Sequence, residues 1–483
     1  MTDAEPTAAS GAVAAPDAGG RERAEARAQA MFDRWGGADL VLAAALVDDH
    51  PPGDVAYTLV EPDMTLADLT YGELRERSER FAAALAEIGV GPGDRVATLM
   101  AKSVDLVTAL VGIWRRGAIH VPLFTAFAAP AVELRLQGSQ AKVVVVDADQ
   151  RAKLPDSGDV EVIVAGAAEL RSGDRSFDDL LMRHAPGIAA ETVSPDAPFL
   201  LIFTSGTTGT PKGVPIPVRG IGGIESYLVH GYHLRPEDVY WNIADPGWAY
   251  GLYYAIVGPL ATGHRGILSR AGFSAPLTWR ILSELGVTNF AGAPTIYRAL
   301  RNDPAPVPDD LRLRCLSSAG EPLNPDVIAW AEETIGVPIR DHYGQTELAM
   351  VTGNAWHPDL LAPLKPGSMG QPLPGWTVAV LDNDADAVAP DGTFGRLAVD
   401  PATSGAMPFF GYHDAPEQTA ARRGRLLPLR LPRRRRDHHG RLPDRPVRGR
   451  ERARRAPGRR RSGRDRRARR AARRGRRGLH RAA

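Results

Sequence analysis

The chain predicts an α/β fold, and three observations carry that prediction. After the first thirty residues, short apolar runs alternate with stretches whose apolar residues recur at helical spacing. A loop rich in glycine and hydroxyls, Thr204-Ser205-Gly206-Thr207-Thr208-Gly209-Thr210-Pro211-Lys212-Gly213, follows directly on the apolar run Phe199 to Phe203. That run reads as a buried strand, so the loop sits at a strand's carboxyl end. No run approaches the ~18 to 20 apolar residues that a membrane helix requires.

In order along the chain, residues 1–30 are rich in Ala, Gly and acidic residues without apolar period, and read as a disordered lead-in. Thr70-Tyr71-Gly72-Glu73 has the spacing of a capping box. Leu74, Ser78, Phe81, Leu85 and Ile88 follow at helical intervals before Gly89 and Gly91 stop the helix. A strand at Val96 to Met100, a helix over Val104 to Trp114 and a strand at Ile119 to Leu123 come next. Then a helix opened by Pro130 runs to about Leu136, and a strand covers Val143 to Val146. Such alternation implies mainly parallel sheets covered by helices. Beyond the phosphate-type loop, Asn302 to Asp310 reads as a surface loop, Leu311 to Ser318 as a strand, Pro325 to Glu333 as a helix and Val378 to Leu381 as a strand.

The loop at Thr204 is suited to phosphates. Glycines let backbone N–H groups approach phosphate oxygens, hydroxyls add donors, and Lys212 adds a movable charge. It is not a Walker P-loop, because Pro211 precedes Lys212 and Gly213 follows it. The segment closely resembles the phosphate loop of the adenylate-forming superfamily, which comprises acyl-CoA synthetases, aryl-CoA ligases, luciferases and the adenylation domains of peptide synthetases. Within it, the likeness is to the AMP-forming acetyl- and medium-chain acyl-CoA synthetases. It covers roughly residues 50 to 420. It implies a large N-terminal domain of two helix-covered β-sheets plus a small distorted β-barrel.

Asp341-His342-Tyr343-Gly344-Gln345-Thr346-Glu347 matches the superfamily's second diagnostic segment. The resemblance implies that Tyr343 packs on adenine, Thr346 bonds the α-phosphate and Glu347 holds Mg²⁺. It also places Asp341, Gly344 and Gln345 on the ATP/AMP site. Ser318 to Pro325, with Gly320, Glu321 and Pro322, resembles the adenine-side segment. Two stretches, Ala244 to Gly251 with Trp248 and Tyr250, and Ala291 to Arg298, resemble segments that shape the acyl site. Acetyl-specific relatives carry a tryptophan at the position of Gly344, so the resemblance implies a medium-chain or aryl acid here. The implied chemistry has two steps. A small-molecule carboxylic acid attacks the α-phosphate of ATP·Mg²⁺, and the thiol of coenzyme A then displaces AMP. Lys212, Thr346 and Glu347 are the residues expected to act in the first step.

A length of 483 residues predicts roughly three domains, or one large domain with a satellite. The one cysteine, Cys315, reads as a core residue of a cytoplasmic protein, since a single thiol excludes an intrachain disulfide. A net charge of +2 conceals a split. Residues 421–483 hold 28 arginines and 4 acidic residues, against 31 basic and 53 acidic residues before them.

The domain plan is therefore a lead-in to residue 30, an adenylation domain over 31–420 and an Arg-rich tail over 421–483. The tail lacks the family's hinge, its ribose-gripping aspartate and its closing lysine, for no lysine follows Lys365. Read one nucleotide later, Gly440 to Arg459 is compatible with Gly-Tyr-Arg-Ile-Gly-Pro-Phe-Glu-Val-Glu, which resembles the family's own C-terminal segment. A frameshift is thus the expected origin of a tail too poor in apolar residues to fold. The competing readings are an adenylation enzyme that loads a carrier-protein thiol, and a nucleic-acid-binding protein that uses the basic tail.

Overall fold

The helix Tyr71–Glu87 begins where its capping signals place it. Thr70 Oγ1 accepts from the Glu73 N–H at 3.2 Å, and Glu73 Oε2 accepts from the Thr70 N–H at 2.9 Å. Leu74, Ser78, Phe81 and Leu85 are all buried, as one face of a helix should be. That face presses on the helix Val104–Arg115. A β-carbon at Gly112 would stand 2.7 Å from Phe81 Cδ1, so the glycine sets how closely the two helices approach.

The chain is described here from a computed structural model that covers residues 19–38, 40–155, 160–166, 169–204, 211–385, 387–406, 409–422 and 427–428. All of them lie within the first of two units, Met1–Pro432. Their strands form two large sheets and one small one. The first large sheet runs in the order Gln371–Pro372, Ala349–Gly353, Ile339–Gln345, Cys315–Ser318, Asn289–Gly292, Tyr240–Asn242, Gly266–Ser269, Val55–Val60, Leu66–Thr70. Its interior pairs are parallel and its edges antiparallel.

The second runs Arg175–Ser176, Glu161–Ala165, Val143–Asp147, Arg95–Leu99, Ile119–Pro122, Pro198–Thr204, Lys212–Pro217. Only its last pair is antiparallel. Apolar residues such as Val143 to Val146 are buried, as parallel strands covered on both faces require. Where the resemblance implies a small barrel, the described residues form a three-stranded antiparallel sheet of Val378–Leu381, Arg396–Val399 and Leu427–Pro428.

Three expectations need correction. The lead-in does not extend to residue 30, because Gly20–Trp35 is a helix that packs on the helix Ile221–His230. Its buried face is made of Ala24, Ala28 and Trp35, small residues that leave a weak apolar period. Polar anchors supply the rest: Arg23 pairs with Asp359 at 2.6 Å, and Glu25 accepts from the Gly375 N–H at 2.7 Å. Residues 1–18 lie outside the described residues.

The strand read over Leu311 to Ser318 is a strand only over Cys315–Ser318. Leu311 and Leu313 pack on an apolar cluster from outside it, and Arg314 turns its guanidinium to the His233 carbonyl, 2.7 Å away. Residue 420 is also not a structural boundary, since the helix Pro416–Arg422 and the strand Leu427–Pro428 continue past it. Residues 429–483 of the arginine-rich segment lie outside the described residues.

Cys315 is fully buried, and burial pushes its thiol up to about 12, which fits a core residue. No helix among the described residues is long and apolar enough to cross a membrane.

The capping box gives a direct test. Thr70→Ala removes the acceptor for the Glu73 N–H and is expected to cost about 1 kcal/mol of stability in urea unfolding. Thr70→Asn should restore most of it.

Candidate active site

Three neighbouring parallel strands, Tyr240–Asn242, Asn289–Gly292 and Cys315–Ser318, end at one cavity of about 670 Å³. The residues just past each strand end line it: Ile243, Ala244 and Asp245 from the first, Ala293 from the second, and Ala319, Gly320 and Glu321 from the third. Parallel strands present ligand sites at their carboxyl ends. Gly320 has φ 94°, a left-handed conformation that a side chain would strain, and a β-carbon there would meet only open space.

The opposite wall comes from the hairpin that joins Ile339–Gln345 to Ala349–Gly353. Gly344, Gln345, Thr346, Ala349 and Met350 line the cavity from it. Between Tyr343 and Gly344 the pairing register shifts. A β-carbon at Gly344 would stand 2.0 Å from the Ala349 carbonyl oxygen. The room that sequence reasoning attributes to this glycine therefore has a backbone cause as well: the hairpin closes only without a side chain at 344.

Trp248 and Tyr250, the residues expected at an acyl site, line the cavity. Trp248 is 39% exposed, so it is not a core residue. Its ring lies 5.4 Å from that of Phe124 and 5.5 Å from that of Phe127. Tyr250 shares a hydrogen bond of 2.8 Å with the Tyr232 hydroxyl. Two further wall residues, Tyr253 and Tyr254, come from the π-helical segment Leu252–Val257. Tyr253 donates its hydroxyl to the Thr346 carbonyl at 2.9 Å, and Tyr254 accepts from the Met350 N–H at 3.0 Å. Sequence reasoning passed over both, although π-helical turns recur at functional sites.

Not every expected residue lines the cavity. Glu321 does, and its carboxylate is taken by Thr295 Oγ1 and Arg298. Asp341, Tyr343 and Glu347 are buried beside it instead. The Tyr343 hydroxyl accepts from Gln345 Nε2 at 2.7 Å. Burial pushes the Asp341 carboxyl up to about 7, opposed by the backbone N–H groups of His342 and Leu323. Its Oδ1 finds no hydrogen-bond partner among the described residues. His342 accepts the Tyr227 hydroxyl at Nδ1 if Nε2 donates to the Asn354 carbonyl, and burial pushes it down to about 4, so it is neutral.

Thr204 ends one strand of the second sheet and Lys212 starts the next, and the two are paired. Ser205, Gly206, Thr207, Thr208 and Gly209 lie outside the described residues. Lys212 Nζ sits 5.0 Å over the ring of Tyr412, whose hydroxyl donates to Glu347 Oε1 at 2.7 Å. The two diagnostic segments therefore meet at one tyrosine. Sequence reasoning placed Tyr412 inside the resemblance and gave it no role; no local signal marks a partner 65 residues away.

A second unassigned pair lies nearby. Lys102 Nζ donates to the Ile243 carbonyl at 2.8 Å, and burial pushes its ammonium down, opposed by the charge of Asp245. Burial likewise pushes Asp245 up, opposed by the Gly247 N–H and by Lys102.

The sequence matches the family described as AMP-binding enzyme over residues 46–409. The chain belongs to that family. Among curated relatives, this AMP-binding enzyme is 34% identical over 343 residues to an acetyl-coenzyme A synthetase of Bacillus subtilis (strain 168), covering 68% of this chain and 58% of that protein. An acetyl-coenzyme A synthetase of Streptomyces avermitilis is 32% identical over 367 residues, covering 68% and 55%. The chain thus spans a little over half the length of these curated relatives.

Among solved structures, the Brucella canis acyl-CoA synthetase superposes with a TM-score of 0.74 at 39% identity, covering 81% of this chain and 74% of that one. A benzoate CoA ligase from Burkholderia xenovorans LB400 gives 0.71 at 25% identity, covering 81% and 76%.

Two outcomes test the geometry. Gly344→Ala forces a β-carbon onto the Ala349 carbonyl and is expected to cost at least about 1 kcal/mol in denaturant unfolding. The Asp341 carboxyl, raised in the folded chain, contributes stability that is full below pH ~4 and is lost as the pH rises through about 7. Stability of Asp341→Asn should therefore fall less than that of the wild type between those limits. Parallel pH profiles for the two proteins would contradict the assignment.

Proposed function

We propose that this chain is built to activate a carboxylic acid with ATP and to pass the acyl group to coenzyme A. The observation that carries this is the shared cavity. It sets the expected acyl-side residues Trp248 and Tyr250 against the expected nucleotide-side residues Gly320, Glu321, Gln345 and Thr346. In the first step a carboxylate oxygen attacks the α-phosphorus and pyrophosphate leaves. In the second the thiol of coenzyme A attacks the acyl carbon and AMP leaves. No protein nucleophile is needed, so the site's work is alignment and charge stabilisation.

The roles follow from the residues' chemistry. The loop from Thr204 to Gly209 and Lys212 receive the β- and γ-phosphates. Thr346 offers its hydroxyl to the α-phosphate, and Tyr343 offers a ring to the adenine. Asp341, whose Oδ1 has no hydrogen-bond partner among the described residues, is placed by the resemblance on the nucleotide side.

Glu347 fits Mg²⁺. Its carboxylate is a hard oxygen donor of the kind Mg²⁺ prefers. Mg²⁺ is ordinarily held by one or two carboxylates together with substrate phosphates. When bound, it would neutralise charge on the phosphates.

The cavity also bears on the acid. Ile243, Trp248, Tyr250, Tyr253, Tyr254, Ile296 and Met350 give it a wide, apolar and aromatic wall, which suits a medium-chain or aryl acid better than acetate. The names of the relatives, acetyl-coenzyme A synthetase and acyl-CoA synthetase, support coenzyme A over a carrier-protein thiol as acceptor. A single, buried cysteine suits the reducing cytoplasm.

The test is acid-dependent exchange of pyrophosphate into ATP by the full chain, with octanoate, benzoate and acetate compared. Exchange should favour octanoate or benzoate over acetate, and should fall about 100-fold or more in Lys212→Ala. Wild-type exchange independent of any acid, or no protection of the fold by ATP·Mg²⁺ in thermal unfolding, would refute the proposal.

A further inference from the structure

We infer that Tyr412 is a positioning residue that ties the metal-side carboxylate to the phosphate-side lysine; the inference rests on the adenylating role proposed for the site. Three contacts define it. The Tyr412 hydroxyl donates to Glu347 Oε1 at 2.7 Å. Lys212 Nζ stands 5.0 Å over the face of its ring. The Tyr412 N–H is held by Thr419 Oγ1 at 2.8 Å, and the next residue, His413, donates its backbone N–H to the Gly213 carbonyl at 2.8 Å. The segment is thereby pinned to the strand that leaves the phosphate loop, and the ring of Phe409 supports it edge-on at 5.0 Å.

A buried carboxylate is costly unless it is bonded, and a bond from a neutral donor orients it without cancelling its charge. Tyr412 meets both needs. It engages Oε1 of Glu347 as a donor and so fixes the orientation in which the carboxylate is offered to Mg²⁺. The same ring attracts the Lys212 ammonium to its face, which holds the cation at the start of the strand Lys212–Pro217. In the proposed role both Glu347, through Mg²⁺, and Lys212 act on the phosphates, and one uncharged aromatic touches both side chains and orients them. Tyr412 acts through Glu347 and Lys212, as a positioning residue rather than a catalytic one.

Two substitutions separate its parts. Tyr412→Phe keeps the ring under Lys212 and loses the hydroxyl on Glu347. Tyr412→Leu loses both. The probes are AMP, which needs no metal, and ATP titrated with Mg²⁺, each bound to the full chain and followed calorimetrically.

Tyr412→Phe is expected to leave AMP affinity unchanged and to raise the half-saturating Mg²⁺ concentration for ATP binding by about 10-fold, the scale of one hydrogen bond to a charged group. Tyr412→Leu should further weaken ATP at saturating Mg²⁺, again sparing AMP. An unchanged Mg²⁺ dependence in Tyr412→Phe, or an equal loss of AMP and ATP affinity, would overturn the inference and leave the proposed function standing. Failure of the wild-type chain to bind either nucleotide would overturn both.

Discussion

A carbonyl oxygen 2.0 Å from where a β-carbon would stand at residue 344 governs the site more than any side chain does. It forces glycine at 344 and permits the register shift between Tyr343 and Gly344. The return strand then starts at Ala349, which takes φ 57°, a left-handed value that costs a non-glycine residue energy. The turn is held in that shape from below. Tyr253 bonds the Thr346 carbonyl, and Tyr254 receives the Met350 N–H. The outcome is a sorting of neighbours: Gln345 and Thr346 face the cavity, and Glu347 turns inward to Tyr412. A looser hairpin would leave the hydroxyl and the carboxylate free to exchange places.

Charge makes the same point. The sequence before residue 421 carries 53 acidic residues against 31 basic ones, an unfavourable field for a polyphosphate. Binding of the proposed nucleotide would therefore come from local donors, and among the described residues Lys212 and Lys102 are both held. Lys212 is oriented by an aromatic face rather than by a carboxylate. Lys102 is committed to the Ile243 carbonyl beside Asp245. Glu321, on the cavity rim, has its charge shared by Thr295 and Arg298, which limits its repulsion of a nucleotide. Glu347, the carboxylate proposed for the divalent metal, accepts a hydrogen bond from the neutral Tyr412 hydroxyl.

Features written in local sequence were legible. The Thr70 capping box, the apolar face from Leu74 to Leu85 and the parallel strands all follow from spacing and composition, and the structure reproduces them. The site segments were legible as motifs, since each is contiguous. What failed had no local signature. The helix Gly20–Trp35 buries alanines and is fastened by Arg23 and Glu25 to residues more than 330 positions away. The role of Tyr412 depends on Glu347 and Lys212, which spacing along the chain does not connect. The cause of Gly344 also lay elsewhere, in a carbonyl five residues on.

The mouth of the cavity shows why such a site forms only with the whole domain. Trp248 stands on the loop after a strand of the first sheet, but its ring packs against Phe124 and Phe127, which follow the strand Ile119–Pro122 of the second. Arg135, from the helix Ala129–Ser139, covers the far side of Phe127 at 4.0 Å. Lys102 follows another strand of the second sheet and reaches the Ile243 carbonyl of the first. The Trp248 and Lys102 contacts join residues more than a hundred positions apart, so neither sheet alone fixes those rings or the ammonium. The cavity's shape is then a property of how the two sheets meet. A change at their interface, such as loss of the Phe124 ring, acts on the shape of the cavity through the Trp248 ring packed against it.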